Sequence, residues 1–230
     1  MSKLYIVATP IGNLGDITFR AVETLKSVDF ILAEDTRVTK KLLSYLGISK
    51  PLISFQEHSS PKILEKILTM LEGGKDLALV TDAGTPGISD PGQRLINYLA
   101  IGLLGPLSNR IAVVSIPGPS SLAAIISLSD IDLSEFTFLG FPPHKKGRET
   151  FFKNIAGSKY PVIIFESPHR ILKTLSQLGK FCGDRHVNVG RELTKMYEEV
   201  FRGTLTDAEK YFTGEKQRGE FIVVVEAGIQ

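Results

Sequence analysis

In the first half of this sequence, most groups able to do chemistry lie in four short segments, each following a short apolar run. Thr9-Pro-Ile-Gly-Asn-Leu-Gly-Asp16 follows Leu4–Ala8, Glu34-Asp-Thr-Arg37 follows Phe30–Ala33, Gln56-Glu-His-Ser-Ser60 follows Leu52–Phe55, and a turn running from Asp82 to Gly92 follows Leu77–Val80. Asp35, Arg37 and His58 supply a carboxylate, a guanidinium and an imidazole, which can take up a proton or steady a developing charge. The glycines at 84 and 87 allow backbone N–H groups to come close to a ligand. No G-x-G-x-x-G and no G-x-x-x-x-G-K-[ST] is present, so neither a dinucleotide fingerprint nor a phosphate loop accounts for them, and a different small ligand is needed. The 4 histidines are scattered and Cys182 is the single cysteine, so no metal-ligand spacing exists.

These segments need strands to hold them. Leu77–Val80 is too short for a helix and nearly all apolar, as a strand buried on both faces should be. Gly84, Pro86 and Gly87 end it, and Asp90-Pro91 offers an N-cap with proline at the first helical position. The same strand, loop, helix alternation is predicted for the rest of the first half. A helix near Thr18 presents Phe19, Val22 and Leu25; another carries Leu42, Leu43 and Leu46 to a stop at Gly47; a third starts at Pro61 and ends at Gly73-Gly74; a fourth carries Leu95, Ile96 and Leu99; and Ile111–Ile116 is a fifth strand. Polar loops at the carboxyl ends of strands are where open α/β sheets bind ligands.

Pro117-Gly-Pro119 interrupts the alternation, which places a domain boundary between residues 1–117 and 118–230. Ser120 and Ser121 can cap the helix that follows. Strands are expected at Phe136–Leu139, Val162–Phe165, Val187–Val189, Glu199–Arg202 and Phe221–Val225, the last two as antiparallel neighbours, so the second sheet is expected to be mixed. The fold class is therefore two α/β domains, the first a parallel sheet with helices on both faces.

With 230 residues and 43% hydrophobic composition, the chain fills two small cores. A net charge of +2 names no partner, so nucleic-acid contact would have to come from local patches. The loop Phe141-Pro-Pro-His-Lys-Lys-Gly-Arg148 is one such patch, with His144, Lys145, Lys146 and Arg148 able to follow a phosphate backbone. No apolar run is long enough for a membrane span and no leader is evident, so a reducing cytoplasm is the expected location.

Thr9-Pro-Ile-Gly-Asn-Leu-Gly-Asp-Ile-Thr18, Ala33-Glu-Asp-Thr-Arg37, Asp82-Ala-Gly-Thr-Pro86, Phe165-Glu-Ser-Pro-His-Arg170 and Arg191-Glu-Leu-Thr-Lys195 together resemble the motifs of the ribosomal RNA small subunit methyltransferase I family, a branch of the tetrapyrrole methylase superfamily. The resemblance spans nearly the whole chain. It is specific to the branch, because tetrapyrrole methylases carry Gly-Asp-Pro where this chain has Gly84-Thr-Pro86, and it departs from the branch at Arg218-Gly-Glu220, where Lys-Gly-Glu is usual. The resemblance implies S-adenosylmethionine held in a cleft between the two domains, contacted by Pro10, Asp82, Ala83, Gly84, Thr85, Ile88, Ser120, Ser121, Glu166 and Leu193. It also implies a homodimer acting on the ribose 2′-hydroxyl of a cytidine in 16S ribosomal RNA, either free or in the assembled 30S subunit, with no metal.

A sulfonium already activates its methyl group, so the protein must mainly hold the hydroxyl in line and exclude water. A ribose hydroxyl still needs a base nearby. Asp35, Arg37 and His58 are the candidates at the edge that carries the cofactor loops; Glu166, His169 and Arg170 are alternatives in the second half. Two rival functions stay open at this point: methylation of a tetrapyrrole precursor, and a non-catalytic RNA-binding ribosome factor.

Overall fold

This computed structural model describes residues 1–90, 92–103 and 111–228, so the proline expected at position 91 lies outside the described residues. The chain divides into two compact units, Met1–Ser120 and Ser121–Gln230.

The first unit alternates β1 (Ser2–Val7), α1 (Phe19–Ser27), β2 (Phe30–Ala33), α2 (Thr36–Tyr45), β3 (Leu52–Ser54), α3 (Pro61–Glu72), β4 (Leu77–Val80), α4 (Gly92–Leu103) and β5 (Ile111–Ile116). Its strands pair in the order β3-β2-β4-β1-β5, all parallel. The period-two alternation of side chains splits each strand between two cores. In β4, Leu77 and Leu79 pack with Leu64, Ile67 and Leu71 of α3 and Leu95 and Leu99 of α4, whereas Ala78 and Val80 pack with Ala21 and Leu25 of α1 and Leu43 of α2. Helices therefore cover both faces, as the apolar strand composition requires.

One expected contact is absent. By spacing Phe19 fits the inward stripe of α1, yet it is 95% exposed; Thr18 caps the helix by accepting from the Ala21 N–H, which makes Phe19 the first helical residue and turns it outward, and Ala21 and Leu25 fill the core instead.

The second unit contains α5 (Ser121–Leu128), β6 (Thr137–Gly140), α6 (Arg148–Ala156), β7 (Val162–Glu166), α7 (Ile171–Cys182), β8 (His186–Arg191), β9 (Glu199–Thr204), α8 (Leu205–Tyr211) and β10 (Phe221–Val225). The sheet is mixed, in the order β6-β7-β10-β8-β9, with β6 parallel to β7 and the other pairs antiparallel. The expected pairing of β9 with β10 is wrong: β8 lies between them and bonds to both. The reason is hydrophobic. All five residues of β10 are buried, so it needs strands on both sides, while β9 is only partly buried and suits the edge. Phe221, Val223 and Val225 face a core built with α6, α7 and α8; Ile222 and Val224 face Ile125 of α5.

Candidate methyltransferase site

Strand order decides where the first unit can hold a ligand. The helices after β1 and β2 pack on one face of the sheet and those after β3 and β4 on the other, so the chain leaves adjacent strands β4 and β1 in opposite directions. Such a switch point opens a crevice at the carboxyl edge. The loops on either side are tied together: Thr9 N–H donates to Gly84 O at 3.0 Å, Gly84 N–H donates to Thr9 O at 3.1 Å, and Thr9 Oγ1 donates to Thr81 O at 3.2 Å.

The turn from Asp82 to Asp90 is closed on itself. Asp90 accepts from Gly87 N–H (2.8 and 2.9 Å), Ile88 N–H (3.2 Å) and Gly92 N–H (2.8 Å), and Thr85 Oγ1 donates to Pro119 O at 2.9 Å. This corrects the reading of the glycines as donors to a ligand, since the N–H groups of Gly84 and Gly87 already have protein acceptors. Gly84 is needed for another reason: its φ is +83°, and an added Cβ would lie 3.2 Å from Ile11 Cγ2 and 3.7 Å from Pro119 O. The glycine lets the segments after β1, β4 and β5 meet closely, next to the buried Pro10.

Asp35, Arg37 and His58 all lie at this carboxyl edge. Asp35 is the cap of α2, accepting from Arg37 N–H at 2.8 Å, and it holds the Arg37 guanidinium through Nε at 3.1 Å and Nη2 at 2.6 Å. Those bonds lower its pKa to about 2. A carboxylate so held is a poor proton acceptor, and its role is to fix the helix start and Arg37. The Arg37 side chain is 86% exposed, and His58 is exposed in a loop closed by Ser59 Oγ accepting from Gln56 N–H at 2.7 Å. The residue that sequence reasoning passed over is Glu34. It is the first residue beyond β2, partly buried, with Oε2 accepting from Asp82 N–H at 3.3 Å and its carbonyl accepting from Gln56 Nε2 at 3.3 Å. Burial first, and then the charges of Asp82, Asp90 and Asp35, push its pKa up. Its place directly after a strand next to β4 was the signal that could have found it.

Two buried hydroxyls have no protein partner among the described residues: Thr81 Oγ1 in the first unit and Thr194 Oγ1 in the second. Buried orphans of this kind suit a polar small molecule, which can supply the missing hydrogen bond. Thr81 Oγ1, at the end of β4 beside the loops that meet at Gly84, fits a polar ligand such as an adenosine-bearing cofactor on the first unit.

In the second unit, Thr194 and Glu192 both adopt positive φ (68° and 51°) around Leu193, which is buried against Ile125 and Ile222. Such strain in non-glycine residues persists only where the surroundings enforce it. Glu192 Oε1 accepts from Lys195 Nζ and from Glu220 N–H, both at 2.9 Å, and a Cβ on Gly219 would fall 2.5 Å from Glu192 Cγ. This explains the departure at Arg218-Gly-Glu220. Gly219 and Glu220 build the brace, while Arg218 gives its carbonyl to Arg191 Nε at 2.7 Å and its mostly exposed side chain lies 3.9 Å from Glu215.

Glu166 is 1% exposed, and its carboxylate is spent within the unit on Ser167 N–H (2.7 Å), Thr174 Oγ1 (2.5 Å) and Arg170 (2.7 Å). Arg148 belongs to the same network and is 6% exposed. It donates to Gln177 Oε1 (2.7 Å), Pro143 O (3.0 Å) and Thr174 Oγ1 (2.7 Å) and lies 5.0 Å from the Phe152 ring centroid. The assignment of Arg148 to a solvent-facing basic loop is therefore corrected: the first residue of α6 turns into the core, and His144, Lys145 and Lys146 alone remain exposed. Cys182, at the end of α7, packs beside the core of the second unit, and burial pushes its thiol pKa up.

The pattern of the tetrapyrrole (corrin/porphyrin) methylases matches residues 3–209. A protein of Thermotoga maritima called ribosomal RNA small subunit methyltransferase I is 44% identical over 98% of both chains, and one of Synechocystis with the same name is 46% identical over 98% of this chain and 79% of its own. This chain belongs to the ribosomal RNA small subunit methyltransferase I family. The family lies among the tetrapyrrole methylases, enzymes that use S-adenosylmethionine as methyl donor. Among solved structures, the methyltransferase CobJ superposes with a TM-score of 0.69 at 15% identity, covering 99% of this chain and 95% of that one. Uroporphyrin-III C-methyltransferase from Thermus thermophilus gives 0.67 at 16% identity, over 98% and 94%. Those two share the fold.

Proposed function

We propose that this protein transfers a methyl group from S-adenosylmethionine to the ribose 2′-hydroxyl of a cytidine in small-subunit ribosomal RNA. The observation that carries the reading is the locked pair of loops after β1 and β4, at the switch point of a parallel sheet, in a chain 46% identical to a protein named as a methyltransferase of small-subunit ribosomal RNA. When bound, the cofactor supplies a methyl group made electrophilic by its sulfonium. Pro10, Ala83, Gly84, Thr85 and Ile88 hold it on the first unit, with Asp82 and Ser120 beside them; Ser121, Leu193 and the backbone near Glu166 are the contacts on the second. The chain's task is to orient the ribose oxygen and keep water out, because positioning is the larger part of such catalysis.

Lys145 and Lys146, with His144, are the proposed phosphate contacts, since exposed lysines can track a backbone without reading sequence. Among the described residues no helix is long and apolar enough to cross a membrane, and the reading places the enzyme in the cytoplasm as a homodimer.

The test is incubation with methyl-labelled S-adenosylmethionine and, in parallel, 30S subunits, free 16S RNA and a tetrapyrrole precursor. Label in RNA, found by mass spectrometry on a cytidine ribose and protecting that linkage from alkali, is the expected result. Label on a base, label only in the macrocycle, or cofactor binding with no transfer would each refute it.

A further inference from the structure

The carboxyl edge of the first sheet holds Glu34, Asp35, Asp82 and Asp90, and three of these are spent or exposed. Asp35 caps α2 and binds Arg37, Asp90 closes its own turn, and Asp82 is exposed with Oδ1 accepting from Asp35 N–H at 2.9 Å. Glu34 differs. It is partly buried, Oε2 is fixed by Asp82 N–H, and Oε1 has no protein partner among the described residues. Arg37 of α2 is engaged by Asp35, and Arg94 of α4 by Glu57 O at 2.5 Å. His58 is exposed on the loop after β3. A second, independent feature points to a ligand here, namely the Thr81 hydroxyl, 3% exposed and unpartnered, on the residue that precedes Asp82.

We propose that Glu34, through Oε1, is the proton acceptor of the methyl transfer, which rests on the reading of a ribose hydroxyl as nucleophile. Glu34 Oε1 takes the hydroxyl proton while a lone pair of the 2′-oxygen forms the new O–CH3 bond. The S–CH3 bond breaks with its electron pair remaining on sulfur as a neutral thioether, and the proton leaves Glu34 for water. A carboxylate serves this role better the closer its proton affinity comes to neutral pH, and the environment of Glu34 moves it that way whereas that of Asp35 moves it the opposite way. Thr81 is placed to give the bound substrate or cofactor a hydrogen bond that the protein leaves open.

The test compares wild type, Glu34→Gln and Glu34→Asp by single-turnover transfer across pH, by calorimetry with S-adenosylmethionine alone, and by melting temperature across pH. Glu34→Gln keeps an acceptor for Asp82 N–H, so cofactor affinity should stay within about threefold while transfer falls about 10²-fold or more and the acidic limb of the rate profile flattens. Glu34→Asp should retain that limb. The melting curves give a readout independent of activity. A carboxyl whose folded pKa is raised reduces stability as pH rises from its unfolded value of about 4.3 through the folded value, so Glu34→Gln should melt with the wild type near pH 4 and no lower than it at pH 7.5. A Glu34→Gln protein that transfers at the wild-type rate with an unchanged profile, or that melts lower or fails to fold at neutral pH, would overturn the proposal. Product analysis of the wild type separates the two readings, since a methyl group on a base would defeat the ribose assignment whatever Glu34 does.

Discussion

Replacing Arg148 by Met tests whether this residue belongs to the core or to an RNA-binding loop. Met keeps the unbranched apolar stem of Arg but ends short of the guanidinium and donates no hydrogen bond. The change removes three charge-assisted bonds, to Gln177 Oε1, Pro143 O and Thr174 Oγ1, and the cation over Phe152. Each such bond contributes about 1.5–3 kcal/mol, but the guanidinium also gives up a desolvation penalty when it is deleted, which is the burial that lowers its own pKa. Removing one member of a buried charged network typically costs about 3–5 kcal/mol, because the partners left behind stay buried. The lower end applies here, since Thr174 Oγ1 can still donate to Glu166 and Pro143 is only partly buried. A loss of about 3 kcal/mol moves a urea midpoint by about 1–3 M for slopes of 1–3 kcal/mol per molar. The expected result is that shift, followed by circular dichroism, with the salt dependence of RNA binding unchanged in whatever fraction remains folded. A loss below about 1 kcal/mol, combined with a weaker salt dependence, would refute the reasoning and return Arg148 to the RNA surface.

Lys145→Ala with Lys146→Ala should leave the urea midpoint unchanged and reduce the magnitude of the salt slope by about 1.4 on a single strand, at roughly 0.7 per phosphate contact, as measured by filter binding. Gly84→Ala should lose about 1–2 kcal/mol in urea, because a non-glycine residue must then hold a φ of +83°. Cofactor affinity should fall with it by calorimetry, and wild-type values of both would remove Gly84 from the site. Asp35, lowered to about 2 by Arg37, stabilises the fold above its unfolded value of about 3.9, and that contribution is lost as pH falls from about 4 through 2. In Arg37→Ala the Asp35 carboxyl should titrate nearer the ordinary value by NMR. Cys182→Ala should leave transfer unchanged, since a thiol packed beside the core with a raised pKa makes no nucleophile.

Much of the first unit was legible in the sequence because its signals are local. Short apolar runs, Gly47 and Gly74 at positive φ after helices, and Pro61 at the start of α3 fix element type without reference to the rest of the chain. Strand order in the second sheet was not legible, because whether β10 pairs with β8 or β9 depends on burial of both of its faces. The same limit applied to individual side chains. Nothing in the spelling Lys-Lys-Gly-Arg148 shows that the last cation turns inward onto Thr174, and nothing in Glu34-Asp35 shows that one carboxylate is claimed by a helix cap and the other kept from any cation. Phe19 was misplaced for a related reason: its apolar spacing fits the stripe, but its position at the helix start points it away from the core.

The central place of β10 has a consequence for how the molecule is made. The first sheet is assembled from strands that all lie within residues 2–116, so its pairings are available as soon as that stretch leaves the ribosome. The second sheet cannot close until residues 221–225 emerge, because they separate β7 from β8. At translation rates of about 5–20 residues per second, that leaves a window of roughly 2–7 s in which β7 and β8 are both complete with unfilled edges. During it, Val162–Glu166 and His186–Arg191 can pair with each other or with a neighbouring chain. Truncation just before Phe221 would make that nascent state permanent. A protein shortened there should keep a folded first unit, with β1 to β4 and their helices resisting proteolysis, and accumulate as aggregates nucleated by the second.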